Sequence, residues 1–597
     1  MMKIIRKMLS FFDTKDKKKL LGLLLGFLLV GLVEMACVAS IAPFVAVVSQ
    51  PEIIHNNAHL HHFYQFLDLG SEHRFMAFLG VTVFAFVILG NIFSAIMLWL
   101  LMRFSFSQGG KLSTRLLKQY LLEPYAFYLT NNRSEMTKTI LSDVFKVILG
   151  VLINGMQAIT KLLVIVCIFV LLMFVDPILA LSVSSVLGGA YVGFYLLLSR
   201  KMARAGSIAS LINAKQYQIV NETLGVIKEI KVLKREGAFL TKFRQVAEKY
   251  AKVESVSYII PQLTRYTVEA IAFAGILLIV IYLMKVKADI SQLLPLLALY
   301  ALAGYRLLPP MQQVFTGLSL VKFHAQSLEI LSNALKEKHL SLDWQSQTLS
   351  QLHFSNSIAL KNIAFAYPNT QQAAINDISI HIAKNTTVGF VGTTGSGKTT
   401  TVDIILGLLI PTIGQIEIDG EPLSLALLNR WQQNLGYVPQ SIYLTDDSVM
   451  NNIAIGVPPE LINEEAVVRA AKLANLHDFI TQEMAQGYNT CVGEGGIRLS
   501  GGQRQRIGIA RALYHDPEVL IFDEATSALD GETEQVIIKS IKELAKQKTI
   551  IIIAHRLTTV KDCDCIYFFE KGKIIDQGTF ADLANNNSKF RKIANLA

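Results

Sequence analysis

Long apolar runs fill the first half of this chain and limit what it can fold into. Six of them fall at about residues 20–48, 75–101, 144–175, 178–199, 259–284 and 290–320. A bilayer core is spanned by roughly 20 residues, and in lipid only helices and closed barrels satisfy their backbone hydrogen bonds. The sequence therefore predicts an α-helical six-span transmembrane domain with both ends on the same side of the membrane.

Composition and charge agree with a chain that is part membrane domain and part soluble domain. Hydrophobic residues make up 52% and charged residues 17%, which is too apolar for a soluble enzyme and too charged for a chain buried wholly in lipid. Lysines and arginines are abundant before residue 20, so the positive-inside rule places this end in the cytoplasm. We attribute the net charge of +10 to contact with an anionic membrane leaflet and expect no nucleic-acid partner.

The segments between the spans carry further expectations. Residues 124–135 and 225–237 are polar or charged stretches where the chain turns back on the cytoplasmic side. The outer loop at 50–73 contains five histidines, which could bind zinc or belong to a short amphipathic helix at the membrane surface; we favour the helix. The cysteines lack the spacing of a zinc site or a disulfide framework, so we predict neither.

Four charged residues lie in apolar surroundings within the predicted spans: Glu34, Arg265, Glu269 and Arg306. A charge at membrane depth costs roughly 2.5–3.5 kcal/mol, so each should face a partner or a cavity. Arg265 and Glu269 are four residues apart and could simply pair on one helix face. Alternatively, Arg265 and Arg306 line a transport cavity, where the planar donor fork of arginine suits a phosphate-bearing substrate.

The soluble half contains a complete phosphate-binding loop between an apolar strand and a helix. The residues predicted to contact the nucleotide are Gly392, Thr393, Thr394, Gly395, Ser396, Gly397, Lys398, Thr399 and Thr400. In such a loop the backbone amides and Lys398 hold the β- and γ-phosphates of ATP, and the Thr399 hydroxyl ligates Mg²⁺. The sequence therefore predicts an α/β P-loop NTPase domain that uses ATP and Mg²⁺.

A second apolar strand, residues 519–522, ends in two consecutive acids. Asp523 emerges at the end of this strand and is predicted to hold Mg²⁺ directly or through water. Glu524 is the candidate general base that polarises the attacking water.

The pentapeptide Leu-Ser-Gly-Gly-Gln at 499–503 leads directly into a helix of good helix formers. Small residues leave backbone N–H groups uncovered, and a helix N-terminus with bare amides is an anion site. The residues concerned are Ser500, Gly501, Gly502 and Gln503. Ser500 would also serve in a plain helix cap, but the complete phosphate loop upstream favours the anion site.

These motifs, which lie within residues 358–556, resemble those of ABC transporters, and the projecting helices resemble an exporter-type transmembrane domain. The resemblance implies that Tyr367 stacks on adenine and that Gln440 reaches Mg²⁺ and the attacking water. It further implies that Asp530 lies at a dimer seam and that His555 contacts the γ-phosphate.

The same resemblance implies a homodimer, because the motif at 499–503 would close on ATP held by the opposite copy. The cytoplasmic turns at 124–135 and 225–237 would be coupling helices that dock on the ATPase domains. We accordingly expect a transmembrane domain at 1–335, a linker at 336–351 and an ATPase domain at 352–597.

The cargo is suggested by a narrower resemblance to PglK-type flippases of lipid-linked oligosaccharides, carried by the segment 34–44, the Arg265…Glu269 pair and the segment 299–309. It implies a multi-pass protein of the bacterial inner membrane that moves a polyprenyl-pyrophosphate glycan outward, with Arg265 and Arg306 as substrate contacts. A basic residue typical of that branch is replaced here by Gly90-Asn91. The alternative is an exporter of lipid A-like lipids or amphiphilic drugs; the short leader argues against a peptide exporter, and the six spans exclude a soluble ABC ATPase.

Overall fold

The computed structural model describes most of the chain as two compact units. The described residues are 2–49, 51–56, 58–67, 71–175, 177–286, 294–336, 351–368, 370, 372–524, 534, 535, 539, 543–545, 547–554 and 556–594. One unit comprises Met1–Glu123 with Asn131–Ser341, and the other comprises Pro124–Thr130 with Leu342–Ala597. Residues 337–350 of the expected linker lie outside the described residues.

The described chain is helical up to residue 336. Its α-helices are α1 (Met2–Leu9), α2 (Thr14–Ser49), α3 (Ile53–Asn56), α4 (Ala58–Leu67), α5 (Glu72–Leu121), α6 (Tyr125–Thr130), α7 (Arg133–Lys138), α8 (Val144–Lys146), α9 (Asn154–Val175), α10 (Pro177–Gly225), α11 (Ile227–Leu233), α12 (Glu236–Val286), α13 (Leu294–Phe323) and α14 (Ala325–Ala334). Two π-helical stretches, Thr139–Asp143 and Val147–Ile153, join α7, α8 and α9.

The long helices coincide with the predicted spans. Among the residues that the structure describes, Thr14–Cys37, Glu72–Leu121 and Arg133–Phe174 are long and apolar enough to cross a membrane. The fourth and fifth predicted spans lie within α10 and α12, and α13 contains the described part of the sixth. At 1.5 Å per residue, α5 is about 75 Å long, so it extends far beyond a bilayer core of about 30 Å.

The outer histidine-rich loop folds as the short helices α3 and α4. Tyr64 of α4 packs edge-on against Phe75, while Phe66 is 78% exposed. The His55 ring lies 3.0 Å from the Glu72 carboxylate. The described residues include no group of three or more histidine, cysteine or acidic side chains placed to hold a metal ion. A short helix is present in this loop as expected, but Tyr64 packs inward instead of joining Phe66 on one exposed apolar side.

A buried ion pair holds the cytoplasmic ends of the long helices together. Lys138 and Asp143 are separated by 2.7 Å and are almost fully buried. The Lys138 ammonium also donates to the Ser210 hydroxyl of α10, and the Ser327 hydroxyl of α14 donates to Asp143. These bonds join three helices and give the two charges the hydrogen-bond partners that burial requires.

The charged residues predicted within the spans find different partners. Arg265 Nε lies 2.8 Å from Glu269 on the same face of α12, as the four-residue spacing predicts. Glu34 of α2 pairs with Lys161 of α9 at 3.3 Å. Lys161 is a fifth charged residue in an apolar run, and the sequence reasoning missed it. Arg306 belongs to α13, but its side chain lies outside what the structure describes.

The second unit contains two sheets with a shared core. The strands are β1 (Ser357–Phe365), β2 (Ile375–Ala383), β3 (Thr387–Gly392), β4 (Ile413–Ile418), β5 (Glu421–Pro422), β6 (Leu435–Val438), β7 (Val519–Asp523), β8 (Thr549–Ile553), β9 (Cys565–Glu570) and β10 (Lys573–Gly578). An antiparallel sheet has the order β2-β1-β4-β5, and a second sheet has the order β10-β9-β3-β8-β7-β6. From β9 to β6 the second sheet is parallel.

The parallel sheet positions the predicted nucleotide site. The carboxyl ends of β3, β6, β7 and β8 meet at one edge, where ligands of open α/β sheets bind. The helices of this unit are α15 (Lys398–Ile405), α16 (Leu425–Gln432), α17 (Val449–Ile453), α18 (Glu464–Leu473), α19 (His477–Glu483), α20 (Gly501–Leu513), α21 (Phe580–Asn586) and α22 (Ser588–Ile593).

The short helix α6 belongs to this second unit, although the sequence on both sides of it belongs to the first. Ala126 of α6 packs against the core formed by the two sheets. The docking of the stretch near 124–135 on an ATPase domain stays a prediction. The other expected coupling segment contains α11, which lies in the first unit.

Candidate functional site

The phosphate-binding loop connects β3 to α15 with its amides uncovered. Gly395 has φ 76° and Gly397 has φ 104°, conformations that a side chain would strain. Thr393, Thr394 and Gly395 are exposed. The loop therefore presents backbone N–H groups at the N-terminus of α15, which is the arrangement that binds phosphate.

Lys398 lies at the start of α15 and folds back over the loop. Its ammonium donates to the carbonyls of Gly392 at 2.8 Å and Thr393 at 3.1 Å. Burial lowers the pKa of Lys398, and the neighbouring Glu524 and Asp523 carboxylates oppose that shift. The buried hydroxyl of Ser396 has no hydrogen-bond partner among the described residues. The loop thus combines a cation with uncommitted donors, as expected of a phosphate site.

The two acids after β7 differ in their surroundings. Asp523 is buried at the end of the strand, while Glu524 is partly exposed. Glu524 has φ 49°, an uncommon conformation for a residue with a side chain and one that concentrates at functional sites. The Gln440 amide donates to the Glu524 carboxylate at 2.6 Å, so these two predicted catalytic residues are adjacent.

Tyr437 is a site residue that sequence reasoning missed. Its hydroxyl donates to Asp523 at 3.2 Å, and its strand β6 pairs directly with β7. Burial raises the pKa of Asp523, whereas the hydrogen bond from Tyr437 lowers it. Asp403 of α15 lies nearby, and burial, with Asp523, raises its pKa to about 6. Strand β6 and the residues after it therefore contact the two acids at the end of β7. Tyr437 bonds to Asp523, and Gln440 bonds to Glu524.

We expect Tyr437→Phe to raise the Mg²⁺ concentration for half-maximal ATPase activity by about 3–10-fold, because one hydrogen bond is worth about 0.5–1.5 kcal/mol. ATP binding without Mg²⁺ should not change, since Tyr437 donates only to Asp523 in this site. Tyr443→Phe, at a residue that is 68% exposed, is the matched control. Identical Mg²⁺ titrations for all three proteins would show that Tyr437 does not position Asp523.

Tyr367, the residue expected to stack on adenine, lies beside the phosphate loop. Its hydroxyl is 2.9 Å from the Thr400 hydroxyl in the first turn of α15, and its ring packs edge-on against Phe365. Thr399, the predicted Mg²⁺ ligand, is exposed between the loop and Thr400. The aromatic ring is thus fixed next to the loop that would hold the phosphates.

The pentapeptide at 499–503 forms the N-terminus of α20. Ser500 is the N-cap: its hydroxyl accepts from the Gln503 N–H, and the Gln503 side chain accepts from the Ser500 N–H at 2.8 Å. Gly501 and Gly502 open the helix. The structure shows the helix cap, and the anion site at the same helix N-terminus stays a prediction that the cap does not oppose.

The remaining predicted residues are not brought together with this site. Asp530 and His555 lie outside the described residues, although His555 follows directly after β8 and Ala554. Arg265 and Arg306 belong to the first unit. For the residues that are described, the donor set fits MgATP: a lysine, bare amides, a threonine hydroxyl and a strand-end aspartate.

Two family descriptions match this chain. The ABC transporter transmembrane region matches residues 28–304, and the ABC transporter family matches residues 375–527. The two matches together cover most of the chain and coincide with the helical unit and with the phosphate loop, α20 and β7.

Curated relatives resemble part of the chain. The leukotoxin translocation ATP-binding protein LktB of Mannheimia glucosida is 45% identical over 240 residues, and the alpha-hemolysin translocation ATP-binding protein HlyB of Proteus vulgaris is 47% identical over 232 residues. These matches cover 40% and 39% of this chain, and the chain spans only about a third of each relative, 34% and 32%. Neither relative is a lipid-linked oligosaccharide flippase by name.

A solved structure resembles the whole chain. A bacterial Atm1-family ABC exporter with ATP bound superposes with a TM-score of 0.79 and covers 98% of this chain and 99% of its own. The sequences are 22% identical, so this likeness establishes the fold.

Proposed function

Because the chain is an ABC transporter with an exporter-type transmembrane domain, we propose that two identical copies use ATP hydrolysis to move a polyprenyl-pyrophosphate-linked oligosaccharide across a bacterial inner membrane. The cargo would pass from the cytoplasmic to the outer leaflet. The ATPase unit would be cytoplasmic, as the basic N-terminal segment indicates.

In this proposal each group of described residues has a separate role in binding or hydrolysing ATP. The loop amides and Lys398 bind the phosphates, and Thr399 and Asp523 hold Mg²⁺, which neutralises phosphate charge. Glu524, oriented by Gln440, accepts a proton from the attacking water. The capped N-terminus of α20 offers its amides to the γ-phosphate bound by the partner copy, so each site needs both chains.

The cargo assignment is carried by Arg265. Its side chain is 47% exposed although α12 is a membrane helix, and its pair with Glu269 at 2.8 Å occupies only part of its donor fork. A half-exposed guanidinium in a membrane helix suits a substrate that brings a dense negative charge, such as pyrophosphate. The positive charge of Arg265 would repel a hydrophobic cation, so this substrate class is disfavoured.

The relatives support a second candidate, export of a polypeptide. LktB and HlyB are named for toxin translocation, and their identity of 45–47% is high. The matched length of 240 or 232 residues, however, is close to that of the ATPase unit alone. Lipid A-like lipids or amphiphilic drugs remain alternatives that would not need Arg265.

Cargo-stimulated ATPase activity in lipid nanodiscs separates these candidates. We expect polyprenyl pyrophosphate carrying a glycan to stimulate turnover, and polyprenyl monophosphate to do so more weakly, because it offers Arg265 less charge. Stimulation by an amphiphilic polypeptide with no response to the pyrophosphate lipid would replace our proposal with the second candidate.

Arg265→Ala should weaken the apparent affinity for the pyrophosphate lipid by about 10–100-fold, since a charge-assisted hydrogen bond is worth about 1.5–3 kcal/mol. Basal ATPase activity should be unchanged. The double variant Arg265→Ala/Glu269→Ala tests whether a lone carboxylate in α12 disturbs folding. Arg244→Ala, at an exposed position of the same helix, is the control. An unaltered lipid response in both Arg265 variants would remove Arg265 from the cargo site.

A further inference from the structure

A cavity of about 250 Å³, lined by both apolar and polar side chains, lies between four helices of the first unit, α2, α5, α9 and α13. Its polar lining consists of Ser94, Gln157, Thr160, Lys161 and Gln313. We propose that this cavity is the loading site where the phosphate headgroup of the lipid cargo enters from the cytoplasmic leaflet, with Lys161 as its cation. The inference rests on the proposed function and names a site that Arg265 does not form.

The depth of the cavity agrees with a cytoplasmic-leaflet site. Lys161 lies about 21 Å along the axis of α9 from the outer end of that helix at Val175, at 1.5 Å per residue. Gln313 lies about 28 Å from Leu294, the first described residue of α13, by the same measure. Because the bilayer core is about 30 Å thick, both positions fall in its inner half.

The ion pair beside the cavity has the properties of an exchangeable contact. Lys161 Nζ is 3.3 Å from Glu34 Oε1, longer than the 2.7–2.9 Å usual for such bonds, and the two side chains are 25% and 21% exposed. The Lys138–Asp143 pair of the same unit is 2.7 Å long and at most 1% exposed. The longer, partly exposed Lys161–Glu34 pair is therefore accessible to a ligand, whereas the short, buried Lys138–Asp143 pair is structural.

The donors around Lys161 define the ligand chemistry. An ammonium group has three N–H donors, so Lys161 can keep Glu34 and still bind phosphate oxygens. The amides of Gln157 and Gln313 add neutral donors. The Ser94 and Thr160 hydroxyls already donate to carbonyls of their own helices, which leaves their oxygens as acceptors for ligand hydroxyls. Apolar Phe27, Val30 and Leu98 line the same cavity and suit the first part of a lipid chain.

This arrangement predicts opposite effects for the two members of the ion pair. Glu34→Gln releases Lys161 from its competing carboxylate and should tighten binding of radiolabelled polyprenyl pyrophosphate to the detergent-purified protein by about 3–10-fold. Lys161→Gln should weaken it at least 10-fold. A purely structural pair would respond alike to the loss of either partner. The double variant, which leaves no unpaired charge, should bind as weakly as Lys161→Gln if the fold is intact.

The control is another interhelical pair, Lys111 with Asp16, at 3.0 Å and away from the cavity. Lys111→Gln and Asp16→Asn should leave binding unchanged. Equal losses in both Glu34 and Lys161 variants, or none in either, would overturn the loading site, as would displacement of the lipid by inorganic pyrophosphate at equal concentration. Binding that follows the predicted pattern without ATP-driven transport would contradict the proposed function alone.

Discussion

Glu524→Gln should reduce ATP turnover by about 100- to 10,000-fold, the range over which a positioned general base accelerates a reaction. Glutamine keeps the size of the side chain and the contact with Gln440, but it cannot accept the proton of the attacking water. ATP binding should therefore persist, and the protein should accumulate as a nucleotide-bound dimer.

The readouts are phosphate release and nucleotide affinity measured on the same purified protein. Glu483→Gln, an exposed acid on α19, is the matched control and should turn over like the unaltered chain. Turnover within a few-fold of the unaltered rate in the Glu524 variant would assign the base to another group. The strained backbone at Glu524 would then need a different explanation.

Lys398→Ala should abolish measurable turnover by acting one step earlier, on nucleotide binding. The ammonium is held over the loop by the Gly392 and Thr393 carbonyls, next to the amides that would bind the phosphates. Loss of charge-assisted hydrogen bonds worth about 1.5–3 kcal/mol each should raise the Kd for MgATP at least 10- to 100-fold.

Equilibrium binding of a fluorescent ATP analogue measures this loss directly. Lys472→Ala on the exposed face of α18 provides the control. Thermal unfolding measured without and with MgATP separates lost binding from lost structure, because the unaltered chain and the Lys472 control should gain stability when MgATP is added and the Lys398 variant should not. Unchanged MgATP affinity in the Lys398 variant would refute the phosphate site.

The sequence predicted the features that are encoded by short, continuous segments of the chain. The loop at 392–399 and the strand before Asp523 are short segments whose order and residue types define their geometry, and the structure brings Lys398, Asp523 and Glu524 to one sheet edge. The helical spans follow from length and hydropathy alone. These signals need no knowledge of which helices pack together.

The residues that escaped prediction depend on packing between distant segments. Tyr437 looks like an ordinary strand residue until β6 pairs with β7 and brings its hydroxyl to Asp523. In the sequence, Lys161 is a single charge within an apolar run. Only the packing of α9 against α2 places it beside Glu34. Lys138 and Asp143 are five residues apart, yet their burial requires helices from elsewhere in the unit.

The central claim, that ATP hydrolysis by this chain moves a polyprenyl-pyrophosphate oligosaccharide outward, is tested most directly in proteoliposomes. The labelled lipid is placed in the membrane, MgATP is supplied on the ATPase side, and glycan accessibility on the opposite side is followed with time. We predict transport with the unaltered chain and none with Glu524→Gln. Active ATP hydrolysis with no movement of the glycan, or equal movement in both proteins, would contradict the account.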